Sequence, residues 1–528
     1  MSEKNKISRR EFLSYSAMAG AIGALGVTPL LSACSDDKGG KNAALRDAGS
    51  VYIPELPDKA VDGKPLKAGL IGCGGRGTGA AQDFLNAADN VTVVALGDVF
   101  PDRVENARKE LKEKHNIEIA AENCFVGFDA YQKVIDSGVD VVIIATPPLF
   151  RPTHFKYATE KGVHSFLEKP IAVDPEGYRM IMATAKQANA KGLCVVTGTQ
   201  RHHQRAHVES FKKIVLDGMI GEITGGNVYW NQSMLWYKTR QPGWSDMEWM
   251  IRDWVNWKAM SGDHIVEQHV HNIDVFLWFS GYKPVSATGF GSRQRRITGD
   301  QYDNFSIDFV CDNGVHFHSM SRQIDGCSNN VSEFLQGTKG TWESGGGGSG
   351  ACVIKDLAGN VLWQYDLEAE KAAHQQNNPY VLEHVNWISC IRQGTPIMQA
   401  EETAVSNLAA IMGRESAYTG KTVTWDEISA ASLNYMPEKL ELGPMDMGKY
   451  TVPVPGEAKK AYPETKDKSL VDEFNRLMSS PRCRFVPELV EVGDPRDRRR
   501  LLKLIKRGGP NPYGDESDRR NVAGYNDA

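Results

Sequence analysis

The sequence lacks an excess of charge of either sign. Its 528 residues include 61 lysines and arginines against 66 aspartates and glutamates, a net charge of −5. A protein that binds nucleic acid through its overall charge carries a large basic excess, so that class is excluded. Cysteine is sparse as well: nine residues without a Cys-x-x-Cys pair argue against a disulfide framework or a zinc ribbon. With 41% hydrophobic residues, a chain of this length forms two or three globular domains without disulfides.

The first 34 residues have the pattern of a bacterial export signal. A polar start leads into Ser-Arg-Arg-Glu-Phe-Leu at 8–13, which is a twin-arginine motif. The weakly apolar stretch at 14–31 is too short and too rich in small residues for a membrane helix. It ends in a Leu-Ser-Ala-Cys lipoprotein box, in which Cys34 is lipidated and becomes the new N-terminus. An ordinary membrane anchor with a chance cysteine is the alternative interpretation.

These two signals together predict an exported lipoprotein of the cell envelope. We expect the twin-arginine route to deliver it to the periplasm or the outer membrane, where the lipid on Cys34 is its only membrane contact. Residues 35–65 are polar and rich in glycine, lysine, aspartate and proline. They are expected to form a linker between the lipid and the fold.

A dinucleotide-binding turn begins at residue 72. The apolar strand at 67–71 runs into a G-x-G-x-x-G match, and a helical stretch follows it. Such glycines permit a tight turn and the approach of a pyrophosphate to a helix N-terminus. An acid about 20 residues further on binds the ribose hydroxyls and repels a 2′-phosphate, which favours NAD; a helix N-cap is the alternative role for that acid. The predicted contacts are Gly72, Gly74, Gly75, Arg76, Gly77 and Asp98.

Strands and helices alternate through residues 66–200. Apolar runs at 91–96, 140–145, 163–167 and 193–199, with helical segments between them, predict a doubly wound parallel sheet. Ligands of such a sheet bind beyond the carboxyl ends of its strands. The polar residues expected beside the cofactor for this reason are Thr146, Glu168, Lys169, Gln200 and Arg201.

Several segments resemble the Gfo/Idh/MocA oxidoreductases. They are the strand–GxGxxG–helix start, Ala-Thr-Pro-Pro…His at 145–154, Glu-Lys-Pro at 168–170, and His-Asn-Ile-Asp at 271–274, which resembles the family's H-x-x-D helix. The resemblance covers about 66–430. It implies an N-terminal Rossmann domain over 66–200 and a C-terminal α/β domain over 201–430 with an open, mostly antiparallel sheet. It also places Pro147 and His154 beside the cofactor.

The same resemblance implies the catalytic residues. The lysine of Glu-Lys-Pro, here Lys169, lies by the reacting carbon, and the histidine of H-x-x-D, here His271, serves as acid or base. Many members have an aspartate four residues before that histidine. This chain has Glu267, which still reaches His271 because residues i and i+4 share a helix face. Oxidising a carbinol requires a base for the hydroxyl proton, and histidine titrates near neutrality. A surface lysine and a core histidine are the alternatives.

A metal site is the competing interpretation of the same helix. His264, Glu267 and His271 fall on one face at helical spacing, and three such ligands can hold a divalent metal. Because the redox chemistry already uses two of the three residues, we expect no metal.

The remaining features favour a polar substrate. Tryptophans crowd residues 230–257 among charged and amide side chains, as in a sugar site or in an insertion buried against the fold or a partner. We therefore expect an exported, homo-oligomeric, NAD-dependent oxidoreductase. It oxidises a ring hydroxyl of a sugar or glycoside to a keto-sugar, with C3 among the candidate carbons. An NAD-dependent glycoside hydrolase acting by transient C3 oxidation and elimination, and a non-catalytic sugar-binding lipoprotein, are the alternatives.

The predicted export constrains how the cofactor is held. Because no free NAD is expected outside the cytoplasm, NAD should be loaded before export, held tightly and recycled in place.

Residues 431–528 extend beyond the usual end of the family, and the sequence supports no specific role for them.

Overall fold

The computed structural model describes residues 44–345 and 351–456 of the chain. The predicted export signal 1–34, with Cys34, lies outside the described residues, as does 457–528 of the predicted extension. Within the described ranges no helix is both long and apolar enough to cross a membrane. The seven cysteines in these ranges are all free thiols.

The first half of the fold alternates strands with helices. In chain order they are β1 (Leu66–Ile71), α1 (Gly75–Ala87), β2 (Val91–Asp98), α2 (Pro101–His115), β3 (Cys124–Val126), α3 (Ala130–Asp136), β4 (Val141–Ile144), α4 (Arg151–Lys161), β5 (His164–Leu167), α5 (Pro175–Ala190) and β6 (Val195–Thr197). The strands are all parallel, in the order β3-β2-β1-β4-β5-β6. Every residue of β4 is buried, because both faces of the sheet are covered. The predicted doubly wound sheet is confirmed.

The order of the strands locates the ligand crevice. The chain leaves β1 toward β2 on one side and returns to β4 on the other, so the switch point lies between β1 and β4. Open α/β sheets bind ligands there, outside the carboxyl ends of the strands. β3 and α3 have no counterpart among the predicted elements, because three strand residues are too few to show a hydrophobic period.

The second half contains a larger, mixed sheet. Its helices and strands are α6 (Arg205–Phe211), β7 (Ile223–Gln232), α7 (Asp246–Arg252), α8 (Lys258–Ser261), α9 (His264–Glu267), α10 (Val270–Ser280), β8 (Pro284–Ser292), β9 (Asn304–Cys311), β10 (His316–Gln323), β11 (Asn330–Gly337), β12 (Gly340–Ser344), β13 (Cys352–Asp356), β14 (Val361–Gln364), α11 (Leu367–Ala373), α12 (Pro379–Gln393), α13 (Ala400–Thr419), β15 (Val423–Thr424) and α14 (Trp425–Ala430). The order is β14-β13-β12-β11-β7-β10-β9-β8-β15, and only β7 and β10 pair in parallel. Alternate residues of β10 are buried, as a sheet covered on one face requires. The predicted mostly antiparallel sheet is confirmed.

The continuous helix predicted through 264–271 is wrong. The structure has two helices, α9 and α10, with Gln268 and His269 between them. Asp263 has a φ of 72° and accepts a hydrogen bond from the backbone N–H of His264, which begins α9 as a separate single turn. His269 is fully buried and its Nε2 lies 2.7 Å from Ser319 Oγ on β10. Glu267 and His271 therefore do not share one helical face by periodicity.

The described part of the predicted linker is bound along the protein. The Tyr52 hydroxyl lies 2.6 Å from Asn386 Oδ1, and Arg205 Nη2 donates to the Leu56 carbonyl at 2.6 Å. Ala60 N–H donates to the Ala87 carbonyl at 2.8 Å. These positions of the predicted linker therefore contact the fold, which polar composition alone does not reveal because it carries no information about distant residues.

Residues 431–452 of the extension pack on the fold. Met436, Met445 and Tyr450 contact an apolar cluster that includes Phe150 and Met250. Among the described residues, 418–421 and 453–456 form a second unit, within which Gly456 N–H donates to the Thr419 carbonyl at 3.1 Å.

Candidate active site

The glycine-rich turn forms an open cradle between β1 and α1. Gly72 has a φ of 94°, and a Cβ at Gly77 would lie 1.8 Å from the Gly72 carbonyl oxygen, so the strand and the helix approach too closely for a side chain. A Cβ at Gly75 would meet nothing within 4 Å. The first turn of α1 therefore has open space beside Gly75, and the first N–H groups of a helix have no partner within it. This cradle fits the pyrophosphate of NAD.

Arg103 is a residue of this cradle that the sequence did not reveal. Its Nη1 lies 2.7 Å from the position that a Cβ at Gly74 would take. The guanidinium thus lies against the turn, where a phosphate is expected, and a side chain at position 74 would have to displace it. The only signal in the sequence was a basic residue in the first turn of the second helix, which is common on surfaces.

Asp98 connects the end of β2 to the glycine-rich turn. Its Oδ2 accepts the backbone N–H of Cys73 at 2.7 Å, and its Oδ1 accepts that of Phe100 at 3.0 Å. Burial raises the pKa of Asp98, and the two backbone N–H groups oppose that rise. Each carboxylate oxygen retains a lone pair, so the predicted contact with the ribose hydroxyls stays compatible with the structure and stays a prediction.

The residues predicted after β4 line a pocket beside Asp98. Thr146, Pro147 and His154 all contribute to its wall. His154 Nδ1 lies 3.2 Å from Thr146 Oγ1, and its ring stacks on Tyr131 with 4.2 Å between centroids. Burial lowers the pKa of His154 to about 3, so the imidazole is neutral at pH 7. The pocket wall combines the rings of Tyr131 and His154 with mostly apolar residues and the Asp98 carboxylate at its edge, which suits an adenine ring and its ribose.

Arg76 and Glu168 lie at the crevice but neutralise each other. Arg76 Nε pairs with Glu168 Oε1 at 2.6 Å, and its two terminal nitrogens pair with Asp83 at 2.9 Å and Glu383 at 3.2 Å. The Tyr380 ring covers the guanidinium at 4.7 Å. The network joins α1, the end of β5 and α12. Direct contact of Arg76 or Glu168 with the cofactor stays a prediction.

Lys169, Glu267 and His271 come together at the end of β5. Lys169 Nζ donates to the Glu267 carbonyl at 2.5 Å and pairs with its Oε1 at 3.1 Å. His271 is buried, and its ring stacks on Trp230 at 5.7 Å. Burial lowers the pKa of His271 well below its ordinary value, and the nearby Lys169 and Arg201 lower it further. The imidazole is therefore neutral at pH 7 and able to accept a proton.

Gln200 and Arg201 border this cluster from the end of β6. Arg201 Nε pairs with Glu333 Oε1 on β11 at 3.1 Å, and its guanidinium lies 5.8 Å from the Trp230 ring. Gln200 Nε2 lies 3.5 Å from the Tyr380 hydroxyl. Arg201 is thus oriented toward the second sheet, on the side where a substrate is expected.

Five buried polar atoms at this cluster have no hydrogen-bond partner within the described part of the chain. Leaving such an atom unsatisfied costs about 1–3 kcal/mol, so a ligand with several hydroxyls is expected to fill the site. The atoms concerned are Gln200 Oε1, Arg201 Nη1, Trp230 Nε1, Glu267 Oε2 and His271 Nδ1, none of which has a partner among the described residues.

Arg151 is a second residue that the sequence did not reveal. Its Nε donates to the Thr146 carbonyl at 2.7 Å, and its Nη1 donates to the Glu168 and Pro170 carbonyls, both at 2.8 Å. It therefore holds the chain after β4 against the segment that carries Lys169. The sequence shows only an arginine in the first turn of a helix, and this pattern does not indicate that its side chain joins two distant segments.

The alternative metal set is not assembled. His264 Nδ1 lies 3.1 Å from Asp263 Oδ1, and its Nε2 lies 3.1 Å from Ser321 Oγ, so both ring nitrogens have protein partners. In 44–345 and 351–456, no group of three or more His, Cys, Asp or Glu side chains is placed to hold a metal ion.

Two family models match the chain. One, described as an oxidoreductase family with an NAD-binding Rossmann fold, matches residues 66–208; the other, the GFO/IDH/MocA C-terminal domain, matches residues 208–343. Together they cover more than half of the 528 residues.

Curated relatives are similar at low identity. The scyllo-inositol 2-dehydrogenase (NAD(+)) of Bacillus subtilis (strain 168) is 22% identical over 68% of this chain and 96% of that protein. The D-glucoside 3-dehydrogenase of Escherichia coli (strain K12) is 24% identical over 45% of this chain and 60% of that protein. A glycosyl hydrolase family 109 protein of Streptomyces coelicolor is 26% identical over 43% of this chain and 45% of that protein. The chain thus spans only about half the length of some curated relatives it matches.

Solved structures share the fold. The aldose-aldose oxidoreductase from Caulobacter crescentus aligns with a TM-score of 0.53 and 18% identity over 68% of this chain and 99% of that chain. At 18% identity, this similarity establishes the shared fold and does not establish a shared activity or substrate.

Proposed function

Because the chain belongs to the Gfo/Idh/MocA family of oxidoreductases, we propose that it oxidises a ring hydroxyl of a sugar or glycoside to a keto-sugar, with NAD as cofactor. The observation that carries the proposal is the cluster at the crevice in which the partly exposed Lys169 lies near the buried Glu267 and His271. Its unpartnered polar atoms suit a ligand rich in hydroxyls. The names of the inositol and glucoside dehydrogenases support the same substrate class, and the latter makes C3 the first carbon to test.

Each residue of the cluster has its own role in removing the proton from the substrate hydroxyl. NAD, when bound, supplies the acceptor for the hydride that leaves the carbinol carbon. His271 is neutral because burial lowers its pKa, and it takes the hydroxyl proton. Lys169 donates a hydrogen bond to the same oxygen as negative charge develops on it. Glu267 orients Lys169 through its carbonyl and its carboxylate.

The experiment measures product with the purified full chain. A panel of alkyl and aryl glycosides is incubated with the protein, and products are reduced with borodeuteride and analysed by mass spectrometry. One deuterium on a ring carbon identifies a keto-sugar and its position. Absence of any keto product and of any bound nicotinamide nucleotide would refute the proposal.

A second candidate is the NAD-dependent glycoside hydrolase. The observation that favours it is the similarity to the family 109 glycosyl hydrolase. The same cluster serves it, because a transient 3-keto group acidifies the neighbouring C–H before elimination of the aglycone. Stoichiometric release of the aglycone without a lasting keto-sugar distinguishes this activity from net oxidation.

We also propose that NAD stays bound through many turnovers: the hydride taken from the sugar is returned within the same catalytic cycle, or it passes with a proton to a second carbonyl compound, which leaves as an alcohol. We further propose that residues 1–34 direct export and lipidation at Cys34. An exported enzyme cannot replace a lost dinucleotide, so slow release is required. The protein is purified without added nucleotide, dialysed extensively and extracted with acid. An empty protein whose activity depends on exchangeable NAD would refute tight retention.

A further inference from the structure

The pocket beside Asp98 has walls from three parts of the chain. The inner wall belongs to the Rossmann half and consists of the ends of β1 and β2 and the segments that follow β3 and β4, with Asp98 and Thr146 at its edge. Ile251 of α7 contributes a second wall. The outer wall consists of Met436 and Leu440, which belong to the extension after the family's usual end.

This pocket is the place for the adenosine half of NAD. It lies at the carboxyl ends of β1, β2 and β4, where the strand order reverses. Asp98 borders both the pocket and the glycine-rich turn, so a dinucleotide with its pyrophosphate on α1 directs its adenosine into the pocket. Residues 436 and 440 therefore lie over that half of the cofactor.

The outer wall is attached at both ends. Tyr435 N–H donates to Asp174 Oδ2 at 2.7 Å, just before α5. Met445 N–H donates to Asp246 Oδ2 at 3.0 Å, and the Gly443 carbonyl accepts the Met247 N–H at 3.2 Å. The segment 435–445 thus spans from the Rossmann half to α7.

α7 is itself attached to the Rossmann half. Arg252 pairs with Asp102 of α2 through two hydrogen bonds of 3.1 and 3.0 Å, and its guanidinium lies 3.8 Å from the Phe100 ring. Phe100, Met247 and Met250 are buried in the same apolar cluster. α7, to which the segment 435–445 is attached, is therefore held in place beside the pocket.

We propose that residues 435–445 form a cover over the adenosine of NAD, and that Met436 and Leu440 slow the release of the cofactor by packing on the adenine ring. The inference rests on the proposed use of NAD and adds the residues that retain it. Release requires the cover to lift, so its loss raises the dissociation rate with little effect on association.

The test compares two leucines two positions apart. Leu440 lines the pocket, whereas Leu442 does not, and the two are similarly exposed at 42% and 45%. Each is replaced by alanine, and Met436→Ala/Leu440→Ala is made as a stronger variant. Each protein is loaded with NADH, mixed with excess NAD, and followed by the loss of bound-NADH fluorescence.

The expected result is faster release in the pocket variants alone. Leu440→Ala should release NADH roughly tenfold faster than the wild type, and the double variant faster still, whereas Leu442→Ala should match the wild type. Thermal unfolding by circular dichroism verifies the fold. Equal release rates in all four proteins would overturn the proposal that residues 435–445 cover the adenosine of NAD. Failure of the wild type to bind NADH at all would instead overturn the proposed cofactor use.

Discussion

At the scale of single residues, Lys169 is the most direct test of the active site. Its ammonium is positioned by two oxygens of Glu267, so Lys169→Ala removes a hydrogen-bond donor that acts mainly on the developing alkoxide. We expect NAD content to persist while kcat falls by roughly 10²-fold or more. Lys59→Ala, at a half-exposed lysine paired with Asp89, is the control. Near-normal turnover of Lys169→Ala would contradict the assignment.

His271 should control the acid limb of the pH–rate profile. Burial, Lys169 and Arg201 hold the pKa of His271 well below its ordinary value of 6.5, so the base is lost only when the pH falls far below that value. His271→Gln should reduce kcat/KM by roughly 10²–10⁴-fold and remove this limb. The profile is recorded with a glycoside identified in the product screen. A limb that persists in the variant would assign the base to Glu267 or to water.

His384 should make the protein sensitive to acid. It lies among Phe84, Phe166 and Trp387 and has no hydrogen-bond partner among the described residues, and burial lowers its pKa well below 6.5. The unfolded chain binds this proton near pH 6.5 and the native protein does not, so stability falls as the pH drops below that value.

The substitution His384→Phe tests this loss of stability at low pH. The variant should lose a slope of about 1.4 kcal/mol per pH unit below about pH 6.5. Thermal midpoints of the wild type and the variant are compared at about pH 5 and about pH 7.5. The midpoint of the variant relative to the wild type should be higher at the lower pH than at the higher pH, and an unchanged difference between the two pH values would contradict the argument.

At the scale of secondary-structure elements, the contact of β1 with α1 depends on Gly77. A Cβ there would lie 1.8 Å from the Gly72 carbonyl oxygen, whereas a Cβ at Gly75 meets nothing within 4 Å. Gly77→Ala should destabilise the protein by roughly 3 kcal/mol or more, because backbone must shift. Gly75→Ala should leave stability unchanged or raise it by about 0.4–1 kcal/mol. Denaturant unfolding measures both, and equal effects would contradict the close approach of β1 and α1 at Gly77.

The α9–α10 break shows where helical periodicity stops being informative. The spacing of His264, Glu267 and His271 predicts one face, yet Asp263 starts a single turn and His269 is held by Ser319 across the sheet. Both features stabilise the break through contacts that helical spacing does not reveal. At the same break the His271 N–H donates to the Gln268 carbonyl, and the Glu267 carbonyl accepts from Lys169.

At the scale of the whole molecule, the predicted location in the cell can be tested by substitutions in residues 1–34, outside the two sheet-containing domains. Arg9→Lys with Arg10→Lys should retain the protein in the cytoplasm, because the twin-arginine route requires that pair. Cys34→Ala should leave the protein exported but without lipid. Cell fractionation with a labelled fatty acid measures both. An unchanged envelope location in the first variant, or unchanged label in the second, would contradict the corresponding signal.

Local patterns in the sequence, namely the glycine turn and the strand–helix alternation, were enough to predict the NAD-binding Rossmann architecture. The mostly antiparallel second sheet and the choice of Lys169, Glu267 and His271 came instead from the resemblance of short motifs to the Gfo/Idh/MocA family. How these residues meet depends on the tertiary structure: Lys169 and Glu267 are 98 positions apart, and Arg201 finds Glu333 on β11. The tertiary structure also placed residues 435–445 beside the pocket at Asp98. Such contacts depend on how the two sheets pack, and packing is set by shape and burial summed over the whole chain.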